Sequence, residues 1–255
     1  MSTVTLALVL TALAGLSTTI GSLLVFFVRQ PGSRFMGLSL GFAAGVMILV
    51  SFVELLPAGI EVLGPGLGYV AFFAGLGVMF VLDTVIPHSY EGVADGVPGR
   101  STSDGHLLRV GLFVALGIGI HNFPEGMATF AGTLANPRLG VAIAVAIAIH
   151  NIPEGLAVAA PVYAATGSKK KAFLWSFLSG VAEPAGALLA AAILLPFLEG
   201  MFLAAILAAV AGLMVFISLD ELLPAAREYG QEHLAIIGAI AGMAVMAWSL
   251  WLLTG

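Results

Sequence analysis

The sequence predicts an all-α integral membrane protein with eight transmembrane helices. The chain has 255 residues, of which 60% are apolar and only 9% are charged, and its mean hydropathy is +1.10. A soluble domain carries roughly 25% charged residues. So few polar residues cannot cover a water-soluble globule. Because the predicted membrane spans use nearly the whole chain, we expect a single transmembrane domain over residues 1–255 and no separate enzyme domain.

Apolar runs place the spans, since a helix of about 20 apolar residues crosses a bilayer. We predict spans at 4–28, 35–57, 66–87, 110–131, 139–165, 173–197, 202–225 and 234–254. The connections are short, and the longest, 88–109, has a loop-like mixture of polar residues, glycine and proline. The chain has no cysteine, which excludes disulfides, thiolate metal sites and cysteine nucleophiles.

The basic residues predict the orientation, because connections rich in Lys and Arg stay in the cytoplasm. Eight of the nine fall in the connections 1–2, 3–4, 5–6 and 7–8, namely Arg29, Arg34, Arg100, Arg109, Lys169, Lys170, Lys171 and Arg227. Only Arg138 lies on the other side. We therefore expect a multi-pass protein of the inner (plasma) membrane, with both termini outside the cytoplasm and the 88–109 loop inside it.

An internal repeat relates the two ends of the chain. Residues 44–59 read AGVMILVSFVELLPAG and residues 211–226 read AGLMVFISLDELLPAA, identical at nine of 16 positions. Spans 1–3 thus correspond to spans 6–8, and the odd step of five spans makes the repeat inverted. Spans 4 and 5 form a second, shorter pair, which gives a 3+2+3 arrangement. Inverted repeats are typical of alternating-access transporters.

Spans 4 and 5 carry the hexapeptides HNFPEG at 121–126 and HNIPEG at 150–155. In a helix the first, second and fifth residues of each hexapeptide share one face. This spacing groups an imidazole, an amide and a carboxylate on each span, from His121, Asn122, Glu125, His150, Asn151 and Glu154. The proline of each hexapeptide removes a backbone hydrogen bond, so we expect bent helices that line a cavity at membrane depth.

Every formal charge within the predicted spans is negative, on Glu54, Asp83, Glu125, Glu154, Glu183, Asp220 and Glu221. A carboxylate at the bilayer centre costs about 2.5–3.5 kcal/mol on insertion scales, so it needs a proton or an arriving cation. Imidazoles, carboxylates and amides without a thiolate suit Zn²⁺ and similar first-row divalent ions. Zinc is the best single expectation, with room for two ions bridged by Glu125 and Glu154.

On these motifs, together with Ala182-Glu183-Pro184 on span 6, the chain resembles the ZIP (Zrt/Irt-like) metal transporters, and within them the bacterial ZupT-like branch. The resemblance implies uptake of divalent metal, Zn²⁺ or otherwise Fe²⁺, Mn²⁺ or Cd²⁺, into the cytoplasm. It implies a first site at His121, Glu125, His150 and Glu154, with Met47 or Ser51 from span 2. It implies a second site at Asn122, Asn151 and Glu183 that shares Glu125 and Glu154. It also implies an elevator, in which spans 1, 4, 5 and 6 move against spans 2, 3, 7 and 8.

The repeat places matching carboxylates at opposite mouths of the protein. Span 2 runs outward and ends with Glu54, whereas span 7 runs inward and ends with Asp220 and Glu221. We hypothesise that Glu54 collects metal outside and that the other two receive it inside. For Asp83, near the cytoplasmic end of span 3, we expect a structural role.

Two other functions compete with metal transport. An intramembrane zinc hydrolase would use a metal-bound water, but the chain has no His-Glu-x-x-His motif. A proton-coupled solute carrier would use Glu and His as a relay. We expect no prosthetic group and no nucleic-acid partner, only divalent metal and the lipid bilayer. The glycine faces at Gly75 with Gly77 and at Gly238 with Gly242 predict close helix packing, inside the chain or in a homodimer.

Overall fold

The computed structural model describes residues 2–27, 32–85, 102–194, 200–228 and 232–254, and every regular element in these ranges is helical. The α-helices are α1 Thr3–Leu24, α2 Ser33–Val50, α3 Leu56–Val85, α4 Thr102–Ala135, α5 Pro137–Thr166, α6 Lys169–Leu189, α7 Met201–Phe216, α8 Leu223–Glu228 and α9 Glu232–Thr254. Short 3₁₀ or π segments extend four of them, at Val25–Phe27, Ser51–Leu55, Ala190–Leu194 and Ile217–Leu222.

Six helical stretches of the described chain are long and apolar enough to cross a membrane, namely Thr3–Phe27, Ser33–Val85, Ile143–Thr166, Lys169–Ala192, Met201–Arg227 and His233–Trp251. The second has 53 residues and is broken at Gly64, whose φ of 75° and ψ of 162° favour glycine. The chain reverses there, because the rings of Phe52 and Phe72, on either side of the break, lie 5.8 Å apart. The prediction of an all-helical membrane protein is confirmed.

The fourth helix begins earlier than the sequence predicted. α4 starts at Thr102, within the expected 88–109 loop, so the expected end of that loop at 109 was wrong; residues 86–101 lie outside the described chain. Hydropathy marks where a helix becomes apolar, and a helix that projects beyond the apolar layer keeps its geometry through polar residues. No proline stands between Pro98 and Pro124 to end it.

The two long copies of the repeat share an irregularity that the sequence did not predict. A π-helical segment follows α2 at Ser51–Leu55, and another follows α7 at Ile217–Leu222. In each copy a buried serine hydroxyl donates to the carbonyl four residues earlier, Ser51 to Met47 at 2.7 Å and Ser218 to Met214 at 2.8 Å. The sequence repeat is therefore also a structural repeat, and π segments often mark functional positions.

Glycines let the helices pack closely in two groups. In the first group, comprising α1, α4, α5 and α6, a Cβ at Gly21 would overlap the carbonyl oxygen of Ile152, and one at Gly186 would overlap that of Phe123. The second group, comprising α2, α3, α7 and α9, holds two closely packed pairs: Gly45 of α2 lies equally close to the carbonyl of Ala239 on α9, and Gly75 of α3 to the carbonyl of Ala209 on α7. The two groups meet through apolar side chains in the main core cluster.

The glycine faces singled out in the sequence are used inside the chain at three of four positions. Gly75 packs against the Ala209 carbonyl of α7, while Gly238 and Gly242 pack against α2. Gly77 has open space where a Cβ would stand. The close packing is confirmed, and the homodimer remains a prediction.

Candidate functional site

Three of the predicted ligands form one fully buried group between α4 and α5. The Nε2 atom of His121 lies 3.3 Å from Glu125 Oε1 and 3.4 Å from Glu154 Oε1. His121 and Glu154 are 0% exposed and Glu125 is 3% exposed. Two carboxylates at one imidazole nitrogen, away from water, need a positive charge to neutralise them.

The hexapeptides build this geometry locally. α4 and α5 continue through Pro124 and Pro153, whose rings leave the carbonyls four residues earlier without their helical partners. The glycine after each glutamate lets a neighbouring backbone approach. A Cβ at Gly126 would overlap the Glu183 carbonyl, and one at Gly155 would overlap the Thr18 carbonyl. Each hexapeptide therefore fixes a carboxylate and anchors its helix at the same point.

A second buried group joins α4, α5 and α6. The side-chain amide of Asn151 donates to Glu183 Oε1 and also, at 3.0 Å, to the Ala14 carbonyl of α1. The amide of Asn122 donates at 3.2 Å to the Ser179 carbonyl, one turn before Glu183. All three side chains are 0% exposed. The structure thus joins Asn151 to Glu183 and anchors Asn122 to α6 one turn away from Glu183.

Several oxygen atoms in these groups are buried without a hydrogen bond. Among the described residues, both carboxylate oxygens of Glu154 and the Oδ1 atoms of Asn122 and Asn151 accept none. Buried polar atoms in native proteins are almost always satisfied, so such a set needs an explanation. Since each amide NH₂ is already used on α1 or α6, the free oxygens are the atoms left to face a cation. Carboxylate and amide oxygens beside an imidazole suit a borderline divalent ion.

The structure gives less detail on the remaining predicted ligands of the first site, His150, Met47 and Ser51. His150 lies on α5, but its side chain is outside the described part of the chain. Met47 and Ser51 are buried on span 2. The Ser51 hydroxyl proton is used by the Met47 carbonyl, so only its oxygen lone pairs could face an ion.

The predicted carboxylates of the two mouths lie on the two π segments. Glu54 is half-buried in Ser51–Leu55, and Asp220 and Glu221 lie in Ile217–Leu222. The structure adds Asp83 to the second pair: one carboxylate oxygen from each of these three residues lies within 4.8 Å of the others. We call Asp83, Asp220 and Glu221 the acidic cluster. The sequence predicted only a structural role for Asp83. It did not predict this contact, which joins distant parts of the chain.

Comparison with known proteins identifies the family of this chain. The family model described as ZIP Zinc transporter matches residues 88–249. The chain belongs to the ZIP zinc transporter family. It is 54% identical over 267 residues to a protein named Zinc transporter ZupT from Chlorobium luteolum, with 100% of both chains covered. A ZupT zinc transporter from Chlorobium phaeovibrioides is 56% identical, with 97% of each chain covered. One from Streptococcus mutans is 50% identical, with 96% of this chain and 97% of the relative covered.

Proposed function

We propose that this ZIP family member carries divalent metal ions, Zn²⁺ first, across the membrane into the cytoplasm. The observation that carries the proposal is Glu154, a fully buried carboxylate with no hydrogen bond to either oxygen and with His121 Nε2 at 3.4 Å. A metal ion would satisfy both oxygens at once. Full-length similarity to proteins named as zinc transporters supports zinc as the cargo.

We assign metal binding to His121, Glu125, His150 and Glu154, with Met47 or Ser51 from span 2, and a second position to Asn122, Asn151 and Glu183. Glu125 and Glu154 would bridge two ions if both positions fill together. The second group supports this assignment because its amide oxygens are buried and free of hydrogen bonds. The same ligands admit Fe²⁺, Mn²⁺ and Cd²⁺, since imidazole and carboxylate groups bind a range of divalent ions.

We propose eight spans in the 3+2+3 arrangement, moving as an elevator. The chain reversal at Gly64 supports a division of Ser33–Val85 into two spans, because 53 helical residues would extend about 80 Å against an apolar layer of about 30 Å. The elevator takes its two bodies from the two glycine-packed groups of helices. Close backbone contacts join the helices of the first group, and within the second group they join α2 to α9 and α3 to α7, whereas apolar side chains fill the boundary between the two groups.

The orientation we propose has both termini outside the cytoplasm. One contact supports placing connections 1–2 and 5–6 on the same side: Lys169 Nζ donates at 2.7 Å to the Phe26 carbonyl. The acidic cluster would then lie on the cytoplasmic side, where Asp220 and Glu221 receive the ion with Asp83. Glu54, the repeat partner of Glu221, would lie at the outer mouth.

If Glu54 collects metal at the outer mouth, Glu54→Gln will raise the KM for zinc by about 3- to 10-fold and leave kcat near its native value. The physical reason is that removing a charge on the approach path weakens ion capture without touching the central site. Initial rates over a zinc concentration series measure it. Glu61→Gln, an exposed carboxylate on α3, is the matched control. An unchanged KM in Glu54→Gln would remove this residue from the outer mouth.

Zinc uptake into proteoliposomes that contain a fluorescent zinc indicator tests the proposed function. We expect saturable uptake, with iron, manganese and cadmium as competing ions, and no uptake of organic solutes. A folded protein that binds zinc but passes no divalent ion would contradict transport and favour the intramembrane hydrolase. Uptake of an organic solute driven by a proton gradient would favour the solute carrier.

A further inference from the structure

Gly117 on α4 forms a notch that holds the side chain of Ile217. A Cβ at Gly117 would overlap Ile217 Cδ1 and would lie 3.2 Å from Ile217 Cγ1 and 3.9 Å from the terminal methyl of Met79. Ile217 and Met79 are both 0% exposed. The three residues come from α4, α3 and the π segment after α7, so they join the two groups of helices.

This apolar contact lies between the central ligands and the acidic cluster. On α4, Gly117 precedes His121 by four residues. On α3, Met79 precedes Asp83 by four, and after α7, Ile217 precedes Glu221 by four. Four residues are about 6 Å along a helix axis. The notch is thus about one helical turn from the His121 group on one side and one turn from the acidic cluster on the other.

We propose that Ile217 and Met79, seated at Gly117, form the barrier that separates the central metal site from the acidic cluster. A dry apolar constriction blocks a hydrated ion, because the ion would have to lose its water without gaining a ligand. The inference rests on the proposed transport function. The absence of a side chain at residue 117 lets Ile217 close the barrier, and withdrawal of Ile217 from the notch opens it.

Because the chain has no cysteine, a single Met214→Cys substitution reports on the barrier. Met214 is 0% exposed and lies three residues before Ile217, on the side of the central site. The protein is placed in sealed vesicles of each orientation, and a membrane-impermeant maleimide is added outside. When Met214→Cys is the only substitution, we expect the maleimide to label this cysteine slowly from the side that the acidic cluster faces, because the barrier lies between them.

Size complementation tests the notch itself. Gly117→Ala displaces Ile217 Cδ1 and should raise the labelling rate about 10-fold, as expected for overpacking of a tight contact. Adding Ile217→Val removes that methyl group and should return the rate to within about 2-fold of the Met214→Cys parent, which is the signature of direct coupling. Ile217→Ala, which adds no volume, should also raise the rate. Ile237→Ala, an exposed isoleucine on α9, should not.

An unchanged rate in both Gly117→Ala and Ile217→Ala would overturn the barrier, as would a failure of Ile217→Val to reverse the effect of Gly117→Ala. Zinc uptake by the Met214→Cys parent is measured separately. A parent that labels as expected but carries no zinc would contradict the proposed function and leave the barrier standing. If the parent carries zinc and neither Gly117→Ala nor Ile217→Ala changes the labelling rate, the result contradicts the barrier alone.

Discussion

Zinc uptake should fall at least about 100-fold when Glu154 is replaced by glutamine. Substitution of residues that only support metal ligands already weakens metal binding by 10- to 100-fold, and Glu154 lies in the group that would contact the ion directly. Glutamine keeps the shape of the side chain but removes the negative charge and offers one oxygen in place of two. Initial uptake rates in proteoliposomes, normalised to the amount of reconstituted protein, measure the effect. Glu61→Gln should leave the rate within about 2-fold of native.

The same variant separates metal binding from folding. In the absence of zinc, Glu154 is a buried carboxylate whose oxygens accept no hydrogen bond from the described residues, so its neutral replacement should not lower the unfolding temperature. A ligand that binds only the folded state raises the free energy of unfolding by an amount that grows with the logarithm of its concentration divided by its Kd. Zinc should therefore raise the unfolding temperature of the native protein and not that of Glu154→Gln. Native uptake in Glu154→Gln would exclude this carboxylate from the site.

The sequence predicts that His121, Glu125 and Glu154 lie close together, because the signals for this contact are local. His121 and Glu125 are four residues apart on one helix, and helical periodicity alone brings them together. The antiparallel pairing of the two hexapeptides then brings in Glu154, as observed. The all-helical membrane fold follows from composition and from apolar runs of sufficient length, so it too is a local property.

What the sequence did not predict depends on tertiary packing or on backbone detail. Asp83 joins Asp220 and Glu221 only because α3 packs on α7, and no local spacing relates residues so far apart. The notch at Gly117 could not be recognised for the same reason, since one glycine among 32 carries no signal by itself. The π segments differ from α-helix by one residue per turn, which hydropathy does not detect. The repeat offered a partial signal, because it required the two copies to share any irregularity.

The second large effect concerns stability: Gly155→Ala should destabilise the protein by about 1–3 kcal/mol, the range for overpacking a tight interior. The added methyl group would overlap the Thr18 carbonyl oxygen and would lie 2.7 Å from its carbon. These are backbone atoms of α1, so no side chain can move aside to make room. The Thr18 carbonyl also accepts a hydrogen bond from the Ser176 hydroxyl at 3.2 Å, which ties α6 to the same point. The unfolding temperature in detergent measures the effect.

Gly77→Ala is the matched control, because this glycine also lies inside a helix but has no atom within 4 Å of the added methyl group. There the greater helix propensity of alanine should leave stability unchanged or raise it by up to about 1 kcal/mol. If the same glycine-to-alanine substitution lowers stability at residue 155 and does not lower it at residue 77, contact with α1 decides the effect. Because Glu154 precedes Gly155, a displaced α5 should also reduce zinc uptake in Gly155→Ala and not in Gly77→Ala. Equal unfolding temperatures in the two variants would contradict the close contact between α1 and α5.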